Sequence, residues 1–133
     1  MGTQYLLDTN ICVFILRGKY HLDYKLRQIG LHNCLISEIT VAELLYGAFY
    51  SHNPELHVKE VRNFYNKFEI VPIWNTLETF AREKSKLRRE GKLIDDFDLL
   101  IASAAIKRGC ILVTDNTKHF DRLELPLENW VER

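Results

Sequence analysis

Four acidic residues sit where apolar sequence stops or is interrupted. Asp8 follows Tyr5-Leu6-Leu7, Glu43 lies inside Val41-Ala42-Glu43-Leu44-Leu45, Asp98 precedes Leu99-Leu100-Ile101-Ala102, and Asp115 follows Ile111-Leu112-Val113-Thr114. Taken singly, each has a plainer role: Asp8 could cap a helix, Glu43 could be a solvated helix residue, and Asp98 a favourable first-turn charge. Taken together, Asp8, Glu43 and Asp98 form an oxygen-rich set without His or Cys partners, the chemistry preferred by Mg²⁺ or Mn²⁺ over zinc. A divalent ion there would offset repulsion among the acids, polarise a phosphodiester and lower the pKa of an attacking water. Hydrolysis by that route needs no protein nucleophile, and the chain has neither a GxSxG elbow nor a Walker-type loop.

The elements that must carry these residues alternate between strand and helix, the order that builds a parallel sheet covered on its faces. Tyr5-Leu6-Leu7 reads as a buried strand, followed by a helix capped by Thr9 and stopped at Gly18, then a second helix from His21 to Ile29. Cys34-Leu35-Ile36 is the next strand, and Ser37 caps the helix that holds Glu43. Pro54 opens a helix reaching Phe68, before a strand from Glu69 to Pro72. Asn75 with Glu78 makes a capping-box-like start for a charged helix ending near Gly91. Asp95 or Asp96 opens an apolar helix to Arg108, Gly109 stops it, and Cys110 to Thr114 is strongly strand-like. A short last strand is expected around Asn129 to Val131. In such a sheet ligands bind outside the carboxyl ends of the strands, where Asp8 and Asp115 end theirs and the helix of Asp98 begins.

Glu43 follows from the helical wheel. Val41, Leu44, Leu45 and Ala48 form the core stripe, which leaves Glu43 on the other side with Ile39, Tyr46 and Tyr50. A carboxylate among apolar neighbours is costly unless it faces a cation, a partner or open solvent. That apolar second face, like Phe64-Tyr65-Phe68, is a candidate for contacts with another protein.

The whole chain sets limits on function. Its 133 residues, 47% hydrophobic, suit one domain over residues 1–133. Lys plus Arg and Asp plus Glu each number 18, so no global field draws in nucleic acid and any RNA-gripping surface is local. The basic run Lys84, Lys86, Arg88, Arg89 and Lys92 is the candidate, with Arg88 and Arg89 as substrate-binding residues. Cys12, Cys34 and Cys110 lack zinc or disulfide spacing and read as buried small hydrophobes in a reducing compartment. With no signal peptide pattern and no apolar run of spanning length, a cytoplasmic location without a membrane is expected.

At this point the chain resembles the PIN-domain endoribonucleases, in particular the VapC-type toxins of bacterial toxin–antitoxin pairs. The likeness rests on Leu6-Leu7-Asp8-Thr9-Asn10, Ser37-Glu38-Ile39-Thr40-Val41-Ala42-Glu43-Leu44, Asp98-Leu99-Leu100-Ile101-Ala102 and Leu112-Val113-Thr114-Asp115-Asn116, in that order across nearly the whole chain. The resemblance implies a three-layer α/β/α fold around a parallel sheet of about four or five strands. It implies that Asp8, Glu43 and Asp98 are the metal-binding acids, with Asp8 and Asp98 as direct ligands, and that Asn10 and Thr114 line the site. The family's fourth acid falls at Asn116 here; either Asp115 substitutes from next door, or Asn116 is a neutral ligand in a site with one charge fewer. A homodimer, a Mg²⁺ or Mn²⁺ cofactor, and a VapB-like antitoxin that places a cation among the acids are further implications. The RNA substrate would be structured, transfer RNA foremost.

Three rivals remain. A receiver-like phosphate- or metal-sensing domain would want paired acids after the first strand and an Asp at a middle strand, which this sequence lacks. A structure-specific DNA nuclease needs DNA-gripping elements for which the chain has little room. A catalytically silent PIN-fold RNA-binding module is the alternative that the retained acid trio speaks against.

Overall fold

In the computed structural model, which describes residues 2–133, the strand β1 (Tyr5–Leu7) turns alternate side chains to opposite faces of the sheet. Leu6 packs into one core and Leu7 into the other, both fully buried. The same alternation holds along β2 (Cys34–Ser37) and β4 (Ile111–Val113): Ile36 and Val113 join Leu7, while Leu35 and Leu112 join Leu6. With β3 (Glu69–Val71) and β5 (Leu127–Glu128) they form a sheet ordered β3-β2-β1-β4-β5, every pair parallel.

Parallel neighbours need crossover connections, which helices supply. Between β1 and β2 lie α1 (Thr9–Leu16) and α2 (Leu22–Ile29); between β2 and β3 lie α3 (Glu38–Phe49) and α4 (Pro54–Tyr65). These four cover the Leu7 face. The Leu6 face is covered by α5 (Leu77–Arg89), α6 (Asp96–Arg108) and the short α7 (Thr117–Phe120). The result is the expected three-layer α/β/α arrangement with five strands.

Several boundaries follow from local chemistry as expected. The Ser37 hydroxyl accepts the Ile39 N–H at the start of α3, and the Asp95 carboxylate accepts the Phe97 N–H at the start of α6. Gly109, at φ 68°, ends α6 in the left-handed region.

Others differ. Asp8, not Thr9, caps α1: it is still extended, at φ −66° and ψ 156°, and its Oδ1 accepts the Thr9 N–H at 2.8 Å. Asn75 does not open α5, because a 3₁₀ turn over Ile73–Thr76 runs directly into the helix. Thr76 takes the cap position, but its hydroxyl donates to the Ile73 carbonyl at 2.8 Å. The last strand is Leu127–Glu128, not Asn129 to Val131, since Trp130 and Val131 leave the sheet edge to bury themselves in the Leu7-side core. Phe64 and Phe68 belong to that core too, their rings 5.0 Å apart, so they offer no partner surface. Ile39 is likewise buried, in the Leu6-side core, whereas Tyr46 and Tyr50 stay 70% and 81% exposed with rings stacked at 6.0 Å.

Candidate active site

Sheet order decides where the site forms. The chain lays β2 and β3 to one side of β1, then places β4 and β5 on the other, so the order reverses between β1 and β4. A crevice opens outside the carboxyl ends at such a reversal. Asp8 leaves β1 there and Thr114 leaves β4 beside it.

Asp8 is 5% exposed and doubly held. Its Oδ2 accepts from the Thr114 hydroxyl at 2.8 Å and its Oδ1 from the Thr9 N–H at 2.8 Å, while its own N–H donates to the Val113 carbonyl at 2.9 Å. Burial pushes its carboxyl up from 3.8 to about 6. The two hydrogen bonds pull the other way, and the charges of Asp98 and Glu43 add to the rise. Asp98 and Glu43 are therefore each near enough to Asp8 for their charges to act on it.

Glu43 reaches the crevice from the middle of α3. The Thr9 hydroxyl donates to its Oε1 at 2.7 Å, and Thr9 Oγ1 lies 3.0 Å from Thr40 Oγ1. A hydroxyl has one hydrogen; with the Thr9 proton committed to the carboxylate, the fully buried Thr40 is the donor to Thr9. The half-buried carboxylate thus has a fixed partner. Asp98 sits in the first turn of α6. Its Oδ2 is 3.0 Å from His119 Nε2 on α7.

The remaining residues singled out from sequence separate. Thr114 lines the site, bonded to Asp8 and accepting the Asn116 N–H at 3.1 Å. Asn10 and Asn116 are exposed at its rim. Asp115 is engaged elsewhere: Arg133 donates to both of its oxygens, at 2.8 and 2.7 Å, and Asn129 donates at 3.2 Å. The Arg133 bond leads the causes that hold its carboxyl below the usual range. Arg88 and Arg89 lie exposed at the end of α5, Arg89 donating to Ser85 at 2.7 Å, and neither is bonded to the acids.

From sequence, Thr9 reads only as a helix cap, and neither Thr40 nor His119 is named as a site residue. The His119 ring packs edge-on against Phe120 at 5.1 Å. The overlooked signal was position: the segment after β4 returns to the site edge, so its polar residues face the crevice.

Among the described residues no three His, Cys, Asp or Glu side chains form a group able to hold an ion by themselves. The set nevertheless suits a hard divalent cation taken by one or two carboxylates with water completing its shell, the habit of Mg²⁺. Asp8 and Asp98 would hold such an ion.

The PIN domain family profile matches residues 5–125. The chain is 37% identical over 130 residues to the Ribonuclease VapC2 of Rickettsia felis, covering 95% of this chain and 97% of that protein. It is 32% identical over 129 residues to the tRNA(fMet)-specific endonuclease VapC of Shigella flexneri, covering 96% and 98%. The crystal structure of DNA-bound VapBC from Salmonella typhimurium superposes with a TM-score of 0.90 at 30% identity, covering 97% of this chain and 99% of that one. PIN-domain nucleases generally use divalent metal ions.

Proposed function

The chain belongs to the PIN-domain family, and on that premise we propose that it is a Mg²⁺-dependent endoribonuclease, the toxin of a toxin–antitoxin pair. One arrangement supports the reading: Asp8 leaves β1 at the β1/β4 reversal, Thr9 bonds both its carboxylate and that of Glu43, and Asp98 opens α6 near enough for its charge, with that of Glu43, to add to the rise at Asp8. Acids repel, so their collection in one crevice makes sense for a cation that offsets them.

The division of labour follows from the hydrogen bonds. A bound divalent ion would polarise the scissile phosphodiester and acidify the attacking water. Asp8, fixed by Thr9 and Thr114, and Asp98, bonded to His119, would hold that ion. Glu43 is gripped at Oε1 by Thr9, which leaves Oε2 to orient the water and accept its proton. Asn10 and Asn116 at the rim offer amides to the RNA, and Asn116 serves as the neutral member of the site, because Asp115 is engaged by Arg133.

The substrate is a structured RNA, transfer RNA foremost, in keeping with the name of the Shigella relative. The protein works in the cytoplasm as one domain and as a homodimer, restrained by a VapB-like antitoxin. A groove of about 540 Å³ between α1, α3 and α4, lined by Val13, Leu16, Leu44, Ala48 and Val61, opens beside Glu43. An inhibitory segment lying there could bury its apolar face and deliver a cation to the acids.

The test is cleavage of total cellular RNA by the purified, partner-free protein with Mg²⁺ or EDTA, beside Asp8→Asn. Discrete fragments that need metal and vanish in Asp8→Asn are expected, and sequencing their ends names the substrate. Absence of cleavage by folded, Mg²⁺-supplied protein would instead favour the silent RNA-binding module.

A further inference from the structure

We propose that His119 is a positioning residue for the candidate metal centre: it fixes the Asp98 carboxylate by one oxygen and leaves the other for the cation. The inference rests on the nuclease reading above and adds to it a residue outside the acid trio. His119 Nε2 lies 3.0 Å from Asp98 Oδ2. Because a carboxylate only accepts, the ring proton is on Nε2. Asp98 Oδ1 has no hydrogen-bond partner among the described residues, and the Asp98 side chain is 35% exposed. One oxygen is therefore occupied and the other is free, the arrangement that orients a ligating carboxylate.

What makes His119 more than a chance neighbour is how it is anchored. Phe120, next in sequence, is buried in the Leu6-side core, and the His119 ring packs edge-on against it. The His119 N–H donates to the Asn116 carbonyl at 3.1 Å, the Asn116 N–H donates to the Thr114 hydroxyl at 3.1 Å, and that hydroxyl donates to Asp8 Oδ2 at 2.8 Å. A continuous hydrogen-bonded bridge thus runs from Asp8 through Thr114, Asn116 and His119 to Asp98. The segment after β4 sets the spacing of the two proposed ligands, which otherwise belong to elements 90 positions apart in sequence. The role needs only the Nε2–H bond, not any change of charge on the ring.

The experiment measures Mn²⁺ binding to partner-free protein by calorimetry, with RNA cleavage at varied metal as a second readout. His119→Phe keeps a ring against Phe120 but removes the donor. It should weaken Mn²⁺ binding by about 10- to 100-fold, as loss of a ligand-orienting bond does. Cleavage should recover towards the wild-type rate at saturating metal. His119→Gln, whose amide nitrogen can reach the position of Nε2, should restore most of the affinity, and His119→Asn, too short, should not. Should His119→Phe fail to fold, the Gln and Asn pair decides by itself. Equal Mn²⁺ affinity in wild type and the donor-less variants would overturn this inference alone. A wild-type protein that binds no Mn²⁺ yet is folded would overturn the metal-dependent reading and this inference together.

Discussion

Asp8 is the candidate site acid whose carboxyl pKa is raised by burial, and it makes a prediction independent of catalysis. The folded protein keeps the Asp8 proton up to about pH 6, whereas an unperturbed carboxyl releases it near 3.8. Between those values the folded state binds more protons than the unfolded one. Stability of the metal-free protein therefore falls as pH rises through that window, with the full penalty present above it. A shift of that size corresponds to about 3 kcal/mol at most. Asp8→Asn abolishes the titration but offers one acceptor oxygen to two donors, Thr9 and Thr114, so a net gain of roughly 1 to 2 kcal/mol at pH 7.5 is expected. In EDTA, the melting temperature of Asp8→Asn should exceed that of wild type at pH 7.5 and lose the advantage by about pH 4. Parallel pH profiles for the two proteins would show that burial is not what Asp8 experiences. Mg²⁺ should reverse the order, stabilising wild type and not the variant.

At the scale of elements, caps and stops set the boundaries, and Gly109 gives the cleanest case. It ends α6 at φ 68°, and a Cβ placed there meets nothing within 4 Å. Gly109→Ala therefore costs only the left-handed backbone, about 1 kcal/mol by chemical denaturation, with cleavage unchanged. A much larger loss would mean that the helix end is strained in some other way. The features that read correctly from sequence share this locality: Ser37, Asp95 and Gly109 act within a few residues, and β1, β2 and β4 are apolar runs bounded by polar stops. The misread ones depend on distant contacts. Trp130 and Val131 are strand-like residues taken by a core that only the assembled layers create. Asn75 resembled a cap because nothing local reveals the preceding 3₁₀ turn. The site divides in the same way. The acids were visible against their apolar flanks, while His119 and Thr40 declare themselves only through partners 21 and 31 residues away.

For the whole molecule the governing fact is electrical neutrality, 18 cationic against 18 acidic residues, so long-range attraction to RNA is absent and binding must come from unpaired local cations. The structure narrows the basic run. Lys84 is paired with Asp96 at 2.9 Å and Lys86 lies 3.7 Å from Glu124, whereas Arg88 and Arg89 have no acidic partner among the described residues. They end the helix packed against α6, whose opening turn carries Asp98, on the layer opposite the apolar groove beside Glu43. This placement would let RNA approach from one side while an inhibitor occupies the other. Each phosphate contact adds about one unit to the dependence of log affinity on log salt. The double variant Arg88→Glu/Arg89→Glu should therefore bind target RNA more weakly in EDTA, where no cleavage intervenes, with a salt slope shallower by up to about two. Binding measured from low to moderate salt by fluorescence anisotropy reads both quantities at once. A weakened affinity with an unchanged slope would mean that the two arginines act on the fold rather than on phosphate, and would move the RNA path away from α5.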